Sequence, residues 1–157
     1  MFVLQGFISG LIATIFFDLF NHSLNYAYNI QKPKWYLIGR YFIGYRQRRY
    51  IRASLVEDEE EDNELLFGYI IHYIIGITFG LFYVCFNLLF FDYPSLLIAY
   101  LFGFITVLGA WCFLMPFAYN LGFFASKSDQ RTNLLVQNLI AHFVFGTGLF
   151  IGYYISF

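Results

Sequence analysis

The sequence predicts an all-α, polytopic membrane protein: four transmembrane helices in a bundle, with an interfacial segment in the first loop. Three observations predict it. Of 157 residues, 60% are hydrophobic and 12% are charged, and mean hydropathy is +0.63; a water-soluble domain carries about 25% charged residues. Four apolar stretches each reach the roughly 20 residues needed to cross a hydrocarbon core. The few charges are segregated, with seven of nine Lys/Arg between Lys32 and Arg52 and seven of ten Asp/Glu between Glu57 and Glu64. The net charge of −1 therefore describes no real surface. Nucleic-acid binding is excluded, because the basic cluster is short and an acidic run follows it at once.

The elements follow in order along one predicted domain, residues 1–157. The first span covers about residues 2–24. No basic residue precedes its apolar run, as a secretory signal requires, so it reads as a retained helix. A loop over 26–63 comes next. Its stretch from Trp35 to Tyr45 is too short to span, and its aromatics and flanking bases suit an interfacial helix. The acidic run over 57–64 reads as a solvated tether. The second span covers about 65–90. The third runs over about 95–116, with Pro94 at its start and Pro116 at its end or at a kink. The fourth covers about 134–156. Cys85 and Cys112 fall in different apolar stretches at different depths, so no disulfide is expected.

Charge sets the orientation. Lys32, Lys34, Arg40, Arg46, Arg48, Arg49 and Arg52 lie in the first loop, and Lys127 and Arg131 in the third. Cytoplasmic loops carry the excess of Lys and Arg. Both loops are thus expected in the cytoplasm and both termini outside it.

The polar residues inside the spans carry the functional signal. An Asp at a helix centre costs about 2.5–3.5 kcal/mol on insertion scales, so it faces a bundle interior, finds a partner or does a job. Residues three or four apart share a helix face. Gly10, Thr14, Asp18, Asn21 and His22 form one stripe. Gly68, His72, Gly76 and Gly80 form a second, and Asn138, His142 and Gly146 a third. Gly6/Gly10, Gly76/Gly80 and Gly148/Gly152 have the spacing that lets membrane helices approach closely. Asp18, His72 and His142 each lie about six to eight residues in from the cytoplasmic end of their span, which at 1.5 Å per residue allows one buried layer. Asn21, His22, Gln137 and Asn138 are its candidate partners. Arg40 is expected to reach a lipid headgroup or Asp18. Similarity of His72–Gly76 to His142–Gly146, and of Gly10–Ala13 to Gly103–Thr106, suggests a parallel 2+2 repeat.

Three readings of the layer stay open. It binds or moves a proton, metal ion or small solute, with His as the side chain that titrates near neutral pH. It only fixes helix packing, and the glycine faces bind a second copy or another membrane protein. It holds a cofactor: two His and a carboxylate for a metal ion, or His72 and His142 for a b-type haem. No nucleophile elbow, phosphate loop or dinucleotide fingerprint is present, so an enzyme is the least supported class, and no cofactor is the leading expectation.

Phe17-Asp18, Leu37-Ile38-Gly39-Arg40-Tyr41, Ile71-His72-Tyr73-Ile74-Ile75-Gly76, Phe113-Leu114-Met115-Pro116 and Ala141-His142-Phe143-Val144-Phe145-Gly146 occur in that order. Their succession resembles a bacterial four-span membrane family called domain of unknown function 2938. Tyr45 departs from it, standing where family members often carry His. The resemblance implies the four-span topology, a bacterial inner-membrane location and the choice of Asp18, Arg40, His72 and His142. It implies no activity.

Overall fold

A computed structural model describes residues 1–46, 55–91 and 93–157. Arg48, Arg49 and Arg52, which entered the reading of the first loop, lie outside the described residues. Helix α1 spans Phe2–Tyr28, α2 Trp35–Arg46, α3 Glu64–Phe90, α4 Leu96–Gly109 and α5 Arg131–Ser156. No strand occurs among the described residues. Helix α4 continues without a break into a π-helical stretch, Ala110–Ala118, so the third apolar segment is Leu96–Ala118. Helices α1, α3, α4 with its extension, and α5 are long and apolar enough to cross a membrane. At 1.5 Å per residue even the 23-residue third segment reaches about 35 Å, beyond the ~30 Å hydrocarbon core. Helix α2 has 12 residues and does not.

Local chemistry sets the ends. Asn29 takes the left-handed conformation, φ 57°, and its N–H closes on the Asn25 carbonyl, which terminates α1 as an αL cap. Tyr83 and Asn87 fix the turn into α4: the Tyr83 hydroxyl donates to the Ser95 carbonyl at 3.0 Å, and the Ser95 N–H donates to Asn87 Oδ1 at 2.9 Å. Pro116 lies inside the π-helical stretch. A proline in an α-helix removes an N–H and crowds the carbonyl four residues back. Widening the turn relieves that crowding, and the Tyr119 N–H reaches back five residues to the Leu114 carbonyl.

The chain forms two compact units. The first comprises residues 1–32, 73–107 and 138–157 and is built on glycine. A Cβ on Gly80 would strike the backbone of Gly6 and Gly10, and a Cβ on Gly10 would strike the Gly76 carbonyl. Main chains of α1 and α3 therefore touch, as small residues permit when lipid supplies no hydrophobic drive between helices. On another side of α1, Cβ atoms on Gly148 and Gly152 would stand 2.6 Å from the Cα atoms of Ala13 and Ser9. Two bonds reinforce that seam: Ser9 Oγ donates to the Leu149 carbonyl at 2.8 Å, and Gln5 Nε2 to the Ser156 carbonyl at 3.0 Å. Helices α4 and α5 meet where Gly103 lies under the His142 carbonyl. The contacts that the faint repeat would relate, Gly10 with Gly76 and Gly103 with Gly146, both occur.

The second unit comprises residues 33–72 and 108–137. Its described part holds α2, the loop before α3, the first turns of α3, the π-helical stretch and the start of α5. Gly39 of α2 sits against the Glu64 carbonyl, and Gly68 of α3 against the Trp35 carbonyl. Helix α2 thus runs antiparallel along the beginning of α3 at backbone contact.

Candidate functional site

His142 is half-buried on α5 in the first unit. Its Nδ1 lies 2.8 Å from Thr106 Oγ1 of α4, and Thr106 Oγ1 donates to the Gly103 carbonyl at 2.7 Å. A threonine hydroxyl has one proton. With that proton on Gly103, Nδ1 must be the protonated nitrogen and Nε2 the acceptor. The ring tautomer is thus tied to the neighbouring hydroxyl. The buried Phe17 of α1 lies edge-on to the imidazole at 5.2 Å between centroids. Gly103 makes this arrangement: a side chain there would collide with the His142 carbonyl and push Thr106 out of reach.

Asp18 follows Phe17 and is half-buried. Its main-chain carbonyl accepts a hydrogen bond from His22 Nδ1 at 2.8 Å. His22 is exposed, which corrects its assignment to a buried layer. One turn of helix separates it from Asp18, and its ring folds back along the helix rather than inward. Asn21 is buried, and its Nδ2 donates to the Phe17 carbonyl at 2.9 Å. Asn138 is half-buried on α5.

His72 belongs to the second unit. Its imidazole stacks on the Trp35 indole, with centroids 3.8 Å apart and planes 21° from parallel, and Tyr69 lies tilted against the same indole at 6.3 Å. Glu64, Gly68 and His72 recur every four residues and form one face of α3. Helix α2 lies along that face.

Arg40 requires the plainest correction. It is 3% exposed, and its partner is neither a lipid headgroup nor Asp18. Nε and Nη2 grip the two carboxylate oxygens of Glu64 at 2.7 and 2.8 Å, and Nη1 donates to the carbonyls of Leu55 and Asp58, each at 2.9 Å. The fork of a guanidinium suits this paired recognition. Tyr36 contributes its ring face, 5.6 Å from the guanidinium carbon. The Glu64 carboxylate holds the Arg40 pKa above its ordinary value. The acidic run is corrected with it. Glu57, Glu59, Glu60 and Asp62 are exposed, but the Asp58 carbonyl is held by Arg40 and the Glu61 N–H by Glu64 Oε2 at 3.0 Å. It is a tied loop, not a free tether.

Among the described residues, no group of three or more His, Cys, Asp or Glu is placed to hold a metal ion. The site residues that sequence reasoning missed are Thr106, Trp35 and Glu64. Thr106 left a trace, since it ends the Gly103–Thr106 stretch of the faint repeat.

A helical membrane protein with four candidate spans, polar residues set on glycine faces and a short helix clamped to one of those spans is the class these features define. Residues 7–156 match the family described as Protein of unknown function (DUF2938), and the chain belongs to that family. No solved structure matches the chain.

Proposed function

We propose that the chain is a non-enzymatic membrane protein of the binding or transport kind, handling a proton or a small solute, with Asp18 and His142 of the first unit and His72 of the second as the residues that serve it. The His142–Thr106–Gly103 hydrogen-bond chain carries this reading. An imidazole within a span whose Nδ1 is engaged by a neighbouring hydroxyl has the chemistry of a proton relay. In the proton version Asp18 holds or exchanges the proton and a histidine relays it. A shared metal ion is left out of the proposal, since no suitable group of side chains occurs among the described residues. The reading places the protein in a bacterial inner membrane, with the first and third loops in the cytoplasm and both termini outside.

The test is reconstitution into liposomes with an internal pH indicator. Asp18→Asn is expected to abolish pH-dependent behaviour while leaving the folded fraction intact; unchanged pH dependence would overturn the proposal. An absorbance spectrum of the pure protein comes first. A Soret band lost in His72→Ala and His142→Ala would replace the proton reading with a haem-based one.

A second reading is favoured by how the polar groups of α1 are satisfied. Thr14 donates to Gly10, Asn21 to Phe17 and Ser23 to Leu19, each to a carbonyl four residues back on the same helix. Such groups ask for no ligand. In that reading the chain is a structural or assembly partner, as a homodimer or beside another membrane protein. Co-purification with a stoichiometric partner, together with tolerance of His72→Phe, would select it.

A further inference from the structure

We infer that α2 is a hinged cover over His72, latched by the Arg40–Glu64 pair. The inference rests on His72 being a working residue of the proposed site. Trp35, the first residue of α2, is the cover itself: its indole lies flat on the imidazole at 3.8 Å. The rest of α2 determines where Trp35 sits. Gly68 abuts the Trp35 main chain, and Gly39, one turn further on, abuts the Glu64 carbonyl, so the backbone that carries the indole moves only with the helix. Arg40 is the next residue after that seam and pairs with Glu64 at 2.7 Å.

The latch lies at the start of α3. The Glu64 side chain is 13% exposed whereas that of Arg40 is 3% exposed. Its opening would release three things together: the Glu64 carboxylate and the Leu55 and Asp58 carbonyls. On its N-terminal side, α2 joins α1 through non-helical residues 29–34, beginning with the left-handed Asn29. Loop residues of this kind absorb the backbone rotation when an element swings. A short helix that packs Leu37 and Ile38 inward, is pinned near its covering end by one ring stack and one fork of charge, and has a non-helical connection beside that end has the parts of a gate.

The experiment measures the reactivity of each histidine toward diethyl pyrocarbonate in detergent-purified protein, read by peptide mass spectrometry. The exposed His22 is the internal standard, and His142 reports general loosening. Glu64→Gln, which keeps the shape and removes the charge, is expected to raise the His72 rate at least roughly tenfold, a modest share of what breaking a buried pair releases. The His142 rate should stay unchanged. Trp35→Leu, which leaves the latch intact, should raise the His72 rate with no change in amide hydrogen exchange over α2. An unchanged His72 rate in either folded variant would overturn the gate, as would His72 and His142 rising together. Should Glu64→Gln fail to fold, Trp35→Leu decides alone. The readout needs no transport. If His72 obeys the latch but His72→Gln leaves the liposome pH response intact, the gate stands and the proposed site falls. If the pH response needs His72 while its reactivity ignores the latch, the gate falls and the site stands.

Discussion

Arg40 and Glu64 are 24 residues apart in the chain and form one unit in space. The guanidinium makes four hydrogen bonds to two acceptor types in a fixed plane. Lysine cannot reproduce this, because its ammonium is a point charge without a fork. Arg40→Lys should therefore destabilise the protein by about 1–3 kcal/mol, below the 3–5 kcal/mol of losing a buried partner outright because one charge contact survives. Thermal unfolding in detergent, followed by circular dichroism, measures it. A melting curve like the parent's would reduce the clamp to a surface pair. The sequence could single out Arg40 as an arginine among apolar neighbours, but it could not choose the partner. Seven acids stand between Glu57 and Glu64, and only the backbone contact of Gly39 with Glu64 picks out the last of them. The Trp35–His72 stack was hidden for a similar reason. Ring stacking depends on how two helices lie together, and no periodicity within one helix reports it. Asp18, His72 and His142 stood out as candidates because charge and imidazole are rare in apolar runs. Thr106 was not, because threonine is common there.

At the scale of elements, hydropathy made the four long helices readable. A span must satisfy its backbone internally and stay apolar over its length, so composition alone marks it. The ends were less readable. Helix α1 continues past residue 24 to Tyr28, where Asn29 stops it, because the polar Asn25 and the tyrosines near it are tolerated beyond the apolar run. The π-helical form of Ala110–Ala118 was reduced in the sequence to a kink at Pro116, since spacing rules do not distinguish a wide turn from a bend. The glycine seams give the sharpest comparison at this scale. Gly80→Ala would drive a methyl group into the backbone of α1, which cannot yield as a side chain can, so α1 and α3 must separate. A loss of about 1–3 kcal/mol or more is expected, the range for overpacking. Gly109→Ala is the control. Its backbone is helical, φ −57° and ψ −44°, and a Cβ there meets nothing within 4 Å. It should be neutral, or stabilising by up to about 1 kcal/mol through helix propensity. Equal effects of the two substitutions would mean that the α1–α3 contact is not close.

For the whole molecule the open question is which way the chain threads the bilayer. Four spans are an even number, so the first and third loops share one side and both termini share the other. All nine Lys/Arg fall in those two loops. The Arg40–Glu64 pair alters the count but not the result: with Arg40 neutralised by its partner, Lys32, Lys34, Arg46, Lys127 and Arg131 remain on the same side among the described residues. The acidic run does not offset them, since Asp and Glu contribute little to this bias. The outward surfaces agree with a lipid setting, as Phe82, Leu89, Leu97 and Phe113 are each at least 60% exposed and none would be stable in water at that density. Orientation is read with single cysteines after Cys85 and Cys112 are replaced by alanine. Glu59, Ser128 and Phe157 are exposed or near the surface of their loops and terminus, and none belongs to the proposed site. A membrane-impermeant maleimide should label Phe157→Cys in intact cells. It should label Glu59→Cys and Ser128→Cys only once the membrane is opened. The reverse pattern would invert the protein and turn the Arg40 latch toward the outside. Labelling of Glu59→Cys and Ser128→Cys from opposite sides would break the four-span topology itself, because an uneven number of crossings would then separate the two loops.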